Sequence, residues 1–220
     1  MEDRIDLYGM AHKALRGLLF GAAALAGRTD PADEAGTRGL AAQVKVLVGW
    51  LDDHAATEDA VIMPVFERLA PELFAALRSD HARVDGAQRE AETLVRRLEA
   101  ATGAERASLC RRLHERLLRL TTEHLVHMAV EESDGNRVLW AHHTDDDLRA
   151  LHGKIRARSS PARASAWLAV LLPALSLPER ARVLGPLKGV VPVPVLEDLL
   201  APARAALGDE WAPTLAAAGL

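Results

Sequence analysis

Two histidine–glutamate pairs in this sequence could bind a metal ion. His54 precedes Glu58 by four residues, and His127 precedes Glu131 by the same spacing. Residues four apart in an α-helix lie on the same side, so each pair would present an imidazole beside a carboxylate. On an apolar helix face both groups are costly to bury unless something compensates them. A metal ion is one such compensation, and a hydrogen bond to a neighbouring side chain is the alternative.

A single pair of this kind carries little information, because the chain has nine histidines and 31 acidic residues. The stronger observation is depth. Histidines on four predicted helices fall at one level of the fold, with mismatches on the order of 4 Å at 1.5 Å of rise per residue. The residues of this layer are His12, His54, His81 and His127, with the carboxylates Glu58 and Glu131. By the same count His114 lies roughly 20 Å along the helix axis from His127. We therefore predict a metal site in this layer, against the alternative of hydrogen-bonded core histidines.

Four long amphipathic helices are predicted to carry the layer. Their ranges are 5–26, 40–70, 71–101 and 104–133, with a loop over 27–39. Pro64 predicts a kink or a break inside the second helix, because proline lacks a backbone N–H. The stretch Asp134-Gly135-Asn136 is expected to end the fourth helix. Long helices with short connections are typical of an up-down-up-down bundle, so the predicted fold class is all-α.

The last third of the chain is predicted to form shorter helices. Thr144 and Ser160 are suitable N-cap residues, and Pro161 suits the first turn of a helix. The expected helices span about 144–158, 160–176, 178–187 and 195–207. We predict two domains, in which residues 1–140 form the bundle and residues 141–220 form a helical extension packed on it.

The composition narrows the classes of function. The 220 residues are 49% hydrophobic but only 4% aromatic, which favours helices. A formal net charge of −4 gives no reason to expect nucleic acid as a partner. The longest apolar run has about 14 residues, short of the roughly 20 that span a membrane. Cys110 is the only cysteine, and the acidic start of the chain differs from a signal peptide. We expect a soluble cytoplasmic protein with no membrane partner.

The ligand types restrict the metal. Imidazole together with carboxylate suits Fe, Zn, Mn or Cu rather than Mg or Ca. Six ligands are too many for one tetrahedral zinc ion, and two carboxylates can bridge a metal pair about 3.5–4 Å apart. Ferritin-like di-iron sites use Glu-x-x-His, and no histidine here has a glutamate three residues before it. That architecture is therefore disfavoured.

Four stretches together resemble a known family of metal-binding domains. They are His12 with Leu15-Arg16; His54-x-x-x-Glu58 followed by Val61-Ile62-Met63-Pro64-Val65-Phe66; Asp80-His81; and His127-Met128-Ala129-Val130-Glu131-Glu132. Over roughly residues 5–140 the chain resembles the hemerythrin-like, or HHE cation-binding, family. The resemblance implies a non-haem centre of two Fe ions in a four-helix bundle, with Zn or Mn as possible substitutes. It implies that the four histidines of the layer are terminal ligands and that Glu58 and Glu131 are bridges.

The third helix departs from the pattern of the oxygen-carrying hemerythrins, which have a His-x-x-x-His pair there. The position four residues before His81 is Leu77, and the position four residues after it is Asp85. One iron would therefore lack a histidine. The candidates to complete the site are Asp85, Tyr8, His124 and water, while Glu132 is either solvated or an alternative to Glu131.

The leading hypothesis is a di-iron protein that binds or reduces O2, peroxide or nitric oxide, and the sequence does not decide whether it is an enzyme. A second hypothesis is an iron or oxygen sensor that acts through the residues after Ser160. A third is a helical interaction module with structural histidines. A hydrolase is disfavoured because Cys110 is far from the histidine layer and no serine lies in a nucleophile elbow. The expected partner is a small diatomic or peroxide ligand, and a homodimer is possible.

Overall fold

A computed structural model describes residues 4–220, and most of these residues are helical. Among these residues no strand occurs, so the all-α prediction is confirmed. The helices are α1 (Gly9–Arg28), α2 (Glu34–Val61), α3 (Met63–Leu69), α4 (Pro71–Ala100), α5 (Gly103–Val130), α6 (Asn136–His142), α7 (Asp145–Ala157), α8 (Pro161–Ala174), α9 (Leu177–Leu184), α10 (Val193–Leu207) and α11 (Trp211–Ala218). A π turn, Glu131–Gly135, joins α5 to α6. Within the described range no helix is long and apolar enough to cross a membrane.

The chain divides into two compact units. The first contains the residues up to Asp6 together with Leu15–Leu151, and the second contains Leu7–Ala14 with His152–Leu220. The domain boundary near residue 140 stays a prediction, and the first three residues of that predicted domain lie outside the described part of the chain.

The first unit is built on α2, α4 and α5. Helix α4 packs against both α2 and α5. Apolar side chains at helical spacing line the contacts, and the largest of them are almost fully buried: Leu40, Leu47 and Leu51 on α2, Leu77 on α4, and Leu109, Leu113 and Leu117 on α5. Burying each such side chain contributes on the order of 2 kcal/mol of hydrophobic free energy.

Pro64 breaks the predicted second helix, as the sequence indicated. Helix α2 ends at Val61, and α3 begins at Met63 with Pro64 in its first turn, where a missing N–H costs no hydrogen bond. The start of α2 lies six residues before the predicted start at residue 40. It begins at Glu34, because the carboxylate of Asp33 accepts a hydrogen bond from Ala35 N at 2.9 Å and caps the helix.

The predicted end of the fourth helix at Asp134-Gly135-Asn136 is wrong. Gly135 adopts right-handed helical angles (φ −60°, ψ −55°), and the chain continues through the π turn into α6. Asn136 explains the continuation. Its amide Nδ2 donates to Glu132 O at 3.1 Å, within the π turn, and to Asp6 Oδ1 at 2.9 Å, so the chain is bonded on both sides of the predicted stop.

In the second unit α8 packs against α10, and α9 packs against α11. Helix α8 begins as predicted, with Ser160 Oγ accepting a bond from Arg163 N and Pro161 in the first turn. One apolar core cluster of this unit contains Leu172, Leu184, Leu200, Ala203 and Leu207. Helix α11 was not expected from the sequence, and α10 begins two residues earlier than predicted.

A buried arginine links three segments of the second unit. Arg180 on α9 is only 5% exposed, and its Nε donates to Leu172 O at 2.8 Å. Its guanidinium also bonds the carboxylate of Glu210 and the hydroxyl of Thr214. Because several bonds depend on one side chain, Arg180 should contribute strongly to the local stability of α8, α9 and α11.

We expect the substitution Arg180→Ala to lower the opening free energy of α9 and α11 by about 2 kcal/mol, the scale of lost hydrogen bonds to a charged group. Hydrogen–deuterium exchange should show faster exchange over 172–218 and unchanged exchange over 40–130. Arg182→Ala is the matched control, since Arg182 lies two residues along the same helix and is exposed. Equal exchange in the two variants would contradict this role for Arg180.

Candidate metal centre

In each of the two histidine–glutamate pairs, an imidazole nitrogen lies close to a carboxylate oxygen. On α2, His54 Nε2 lies 3.1 Å from Glu58 Oε1. At the end of α5, His127 Nε2 lies 3.3 Å from Glu131 Oε2. Both carboxylates are buried: Glu58 is 3% exposed and Glu131 is 1% exposed. One helical turn therefore places an imidazole beside a carboxylate in the core at both positions.

Helix α4 adds His81 between the two pairs. Its Nε2 lies 3.6 Å from Glu58 Oε2 and 3.9 Å from Glu131 Oε1. Its ring meets the ring of His127 edge to face, with centroids 4.9 Å apart. Glu58, His81, His127 and Glu131 each offer one ligand atom within 4.8 Å of the others, and all four are buried. This group could hold a metal ion.

A second group shares the same carboxylates. His54, Glu58 and Glu131 also offer atoms within 4.8 Å of one another. The first unit thus contains two adjacent ligand groups, and Glu58 and Glu131 belong to both. The structure therefore brings together five of the six residues of the predicted layer.

The sixth residue, His12, is described with the second unit. It lies on α1, is fully buried, and has its ring 5.3 Å from the ring of Tyr8, which is also buried. Helix α1 runs without a break from Gly9 to Arg28, and Arg16 follows His12 by one turn.

Several buried polar atoms of this cluster make no hydrogen bond, so their lone pairs could be used by a metal ion. Neither carboxylate oxygen of Glu58 accepts a hydrogen bond, despite the nearby imidazoles, and Nε2 of His81 has none either. Burial raises the pKa of Glu58 well above its usual value, and the neighbouring carboxylate of Glu131 raises it further. A cation between these groups would compensate both effects, so the residues fit a metal ion better than a hydrogen-bonded core.

Two aspartates contact the outer nitrogens of the histidines. His81 Nδ1 lies 3.1 Å from Asp59 Oδ1, and His127 Nδ1 lies 3.9 Å from Asp80 Oδ2. Burial lowers the pKa of His81, but Glu131 and Asp59 raise it by more. A carboxylate at Nδ1 fixes the ring and leaves the Nε2 lone pair for a metal. These two aspartates were not predicted as partners, because each of them lies on a different helix from the histidine it faces. The sequence analysis noted Asp80 only as the residue before His81.

The other candidate ligands lie outside both groups. His124 Nε2 is 3.0 Å from Gln88 Oε1, and Gln88 Nε2 donates to Asp52 Oδ1 at 2.6 Å, which forms a polar chain between α5, α4 and α2. The pKa of Asp52 is raised by burial first and then by nearby carboxylates, among them Asp85. Asp85 therefore lies on the side of Asp52.

The histidines excluded by depth are placed elsewhere. The ring of His114 lies against Gly27 at the end of α1, so close that a Cβ at residue 27 would meet His114 Nε2 at 3.1 Å. His142 is exposed on α6. Among the described residues, neither belongs to a group that could hold a metal.

Comparison with known proteins supports the metal site. Residues 3–134 match the model of the hemerythrin HHE cation binding domain. Searches of curated proteins and of solved structures find no match. The matched range covers more than half of the 220 residues and contains every residue of the predicted layer. The chain therefore belongs to the family of hemerythrin HHE cation binding domains.

Proposed function

We propose that this protein holds two iron ions and uses them to bind or reduce O2, peroxide or nitric oxide. The observation that carries the proposal is the pair of adjacent ligand groups with Glu58 and Glu131 in common. Two carboxylates shared by two positions suit a bridged metal pair. Imidazole and carboxylate ligands suit iron, with Zn or Mn as possible substitutes.

The ligands have distinct roles in this proposal. Glu58 and Glu131 bridge, and the terminal ligands are His54 at one position and His81 and His127 at the other. His12, which is fully buried, is proposed as a further terminal ligand because the resemblance to the family implies a ligand at this position of the first helix. An iron pair held by these residues would supply redox chemistry for a small ligand. The protein holds the imidazole of His81 in place through Asp59.

Helix α4, the third helix of the sequence prediction, lacks the second histidine of the oxygen-carrying hemerythrins, and this difference favours a small molecule as the substrate. Leu77, one turn before His81, is fully buried and cannot bind a metal. A position left without a protein ligand is available to a diatomic molecule or peroxide. Val84 and Leu51, both almost fully buried one turn from His81 and His54, keep the surroundings apolar and limit the access of water.

Further details of the sequence prediction are part of the proposal. We propose that α1, α2, α4 and α5 form an up-down-up-down bundle, that residues 1–140 are the metal-binding domain, and that residues 141–220 are an extension. The iron or oxygen sensor and the homodimer stay predictions.

Metal content tests the proposal. We expect about two iron ions per chain in the protein purified with iron and air, together with charge-transfer bands in the near ultraviolet. His54→Ala should lower the content toward one ion, because His54 belongs to only one of the two groups. Glu58→Ala should remove both ions, because Glu58 belongs to both groups.

His142→Ala is the matched control for these variants, since His142 is exposed and lies outside both groups. It should keep the metal content of the wild-type protein. Wild-type protein with no iron and no charge-transfer bands would contradict the proposal. If His54→Ala and Glu58→Ala lost the same amount of metal, two separate positions would not be supported.

Asp59 should set the affinity of the position that contains His81. In Asp59→Ala the imidazole loses the acceptor of its Nδ1 proton, so we expect iron to bind roughly tenfold more weakly. Competition with a chelator measures this change. Glu67→Gln, which changes an exposed carboxylate on α3, is the control and should keep the wild-type affinity. Equal affinities in the two variants would exclude this role for Asp59.

A further inference from the structure

Two consecutive glutamates follow His127, and either could supply the carboxylate of α5. In an α-helix Glu131 lies about 40° round the axis from His127, and Glu132 lies about 140° from it. Here Glu131–Gly135 forms a π turn, closed by a bond from Asn136 N to Glu131 O. A π turn bonds residue i to i+5 instead of i+4, so side chains in it depart from α-helical directions. Spacing alone therefore does not decide which glutamate enters the centre.

The side chain of Glu132 is held by an arginine of α1. Arg16 NH1 donates to Glu132 Oε1 at 2.8 Å, and NH2 donates to Oε2 at 2.9 Å. Both oxygens are thus bound by one guanidinium, the geometry in which arginine binds a carboxylate most strongly. The two side chains are 26% and 28% exposed, so solvent screens this pair less than it screens a surface salt bridge.

The backbone at Glu132 is fixed as well. Asn136, which is 2% exposed, donates to Glu132 O, and the same Nδ2 donates to Asp6. The side chain and the carbonyl of Glu132 therefore have separate anchors. Glu131, one residue earlier, is 1% exposed and lies with its oxygens near His127 and His81.

We propose that Arg16 is a positioning residue that selects the bridging carboxylate. By binding both oxygens of Glu132 it would keep that carboxylate from competing for the metal ions, so that Glu131 would be the shared carboxylate of this helix end. This inference rests on the proposed function. Arg16 would affect the absorption spectrum and the metal affinity of the centre through its bonds to Glu132.

Arg16→Gln tests the inference. Glu132 is then released and competes with Glu131, so we expect the charge-transfer bands of the iron-loaded protein to shift and iron to bind roughly tenfold more weakly. The double variant Arg16→Gln/Glu132→Gln removes the competing carboxylate and should restore the wild-type bands and affinity. A purely structural role of Arg16 predicts no such rescue. Absence of rescue, or wild-type bands in Arg16→Gln, would overturn the inference.

Two further variants act as controls. Arg137→Gln removes an exposed ion pair with Asp134 on the same π turn and should leave the bands unchanged; a shift equal to that of Arg16→Gln would overturn the inference. Glu132→Gln alone should keep two ions per chain. Loss of an ion there would make Glu132 a ligand and overturn the inference, even if Arg16→Gln did not fold. Wild-type protein without iron would overturn the proposed function and this inference together, whereas two ions with unaltered Arg16→Gln would overturn only the inference.

Discussion

Two carboxylates buried side by side dominate the physics of the first unit. Glu58 and Glu131 are almost inaccessible to water, and Glu131 contributes to the raised pKa of Glu58. Two ionised carboxylates in an apolar interior repel each other and lose their hydration, so they need either protons or cations. The imidazoles of His54, His81 and His127 surround them with nitrogen atoms that can share a metal. The packing of the rest of the unit must offset the free-energy cost of burying these two carboxylates.

The helices provide this support in layers. Leucines at helical spacing pack α2, α4 and α5 against one another, and each of these helices contributes residues to the candidate metal centre. Next to these residues, Asp59 bonds the outer nitrogen of His81, and Asp80 lies 3.9 Å from that of His127. Glu131 begins the π turn, and Arg16 binds both carboxylate oxygens of the neighbouring Glu132.

The features predicted correctly from the sequence are those that depend on the geometry of a single helix. Four-residue spacing and equal depth were enough to place five residues of the layer together, because both follow from the fixed rise and twist of an α-helix. Proline chemistry correctly located the break at Pro64. The residues of the layer could be named before the structure was known; that they bind iron is the proposal made here.

Contacts between distant parts of the chain were beyond sequence reasoning. The predicted end of the fourth helix was wrong because the local residues, Gly135 among them, indicated a stop. The bond from Asn136 to Asp6 joins positions that are far apart in the chain, so the sequence did not reveal it. The aspartates behind His81 and His127 were missed for the same reason, since each belongs to another helix. The start of α2 was also predicted wrongly, although the signal is local: Asp33 caps the helix inside the segment predicted to be a loop.

The central claim is that Glu58 and Glu131 are shared by two metal ions. Anomalous diffraction at the iron absorption edge, from crystals of the iron-loaded protein, tests it most directly. We expect two peaks on either side of the two carboxylates, one within bonding distance of His54 and the other within bonding distance of His81 and His127. A single peak, or peaks remote from Glu58 and Glu131, would show that the two carboxylates are not shared by two ions.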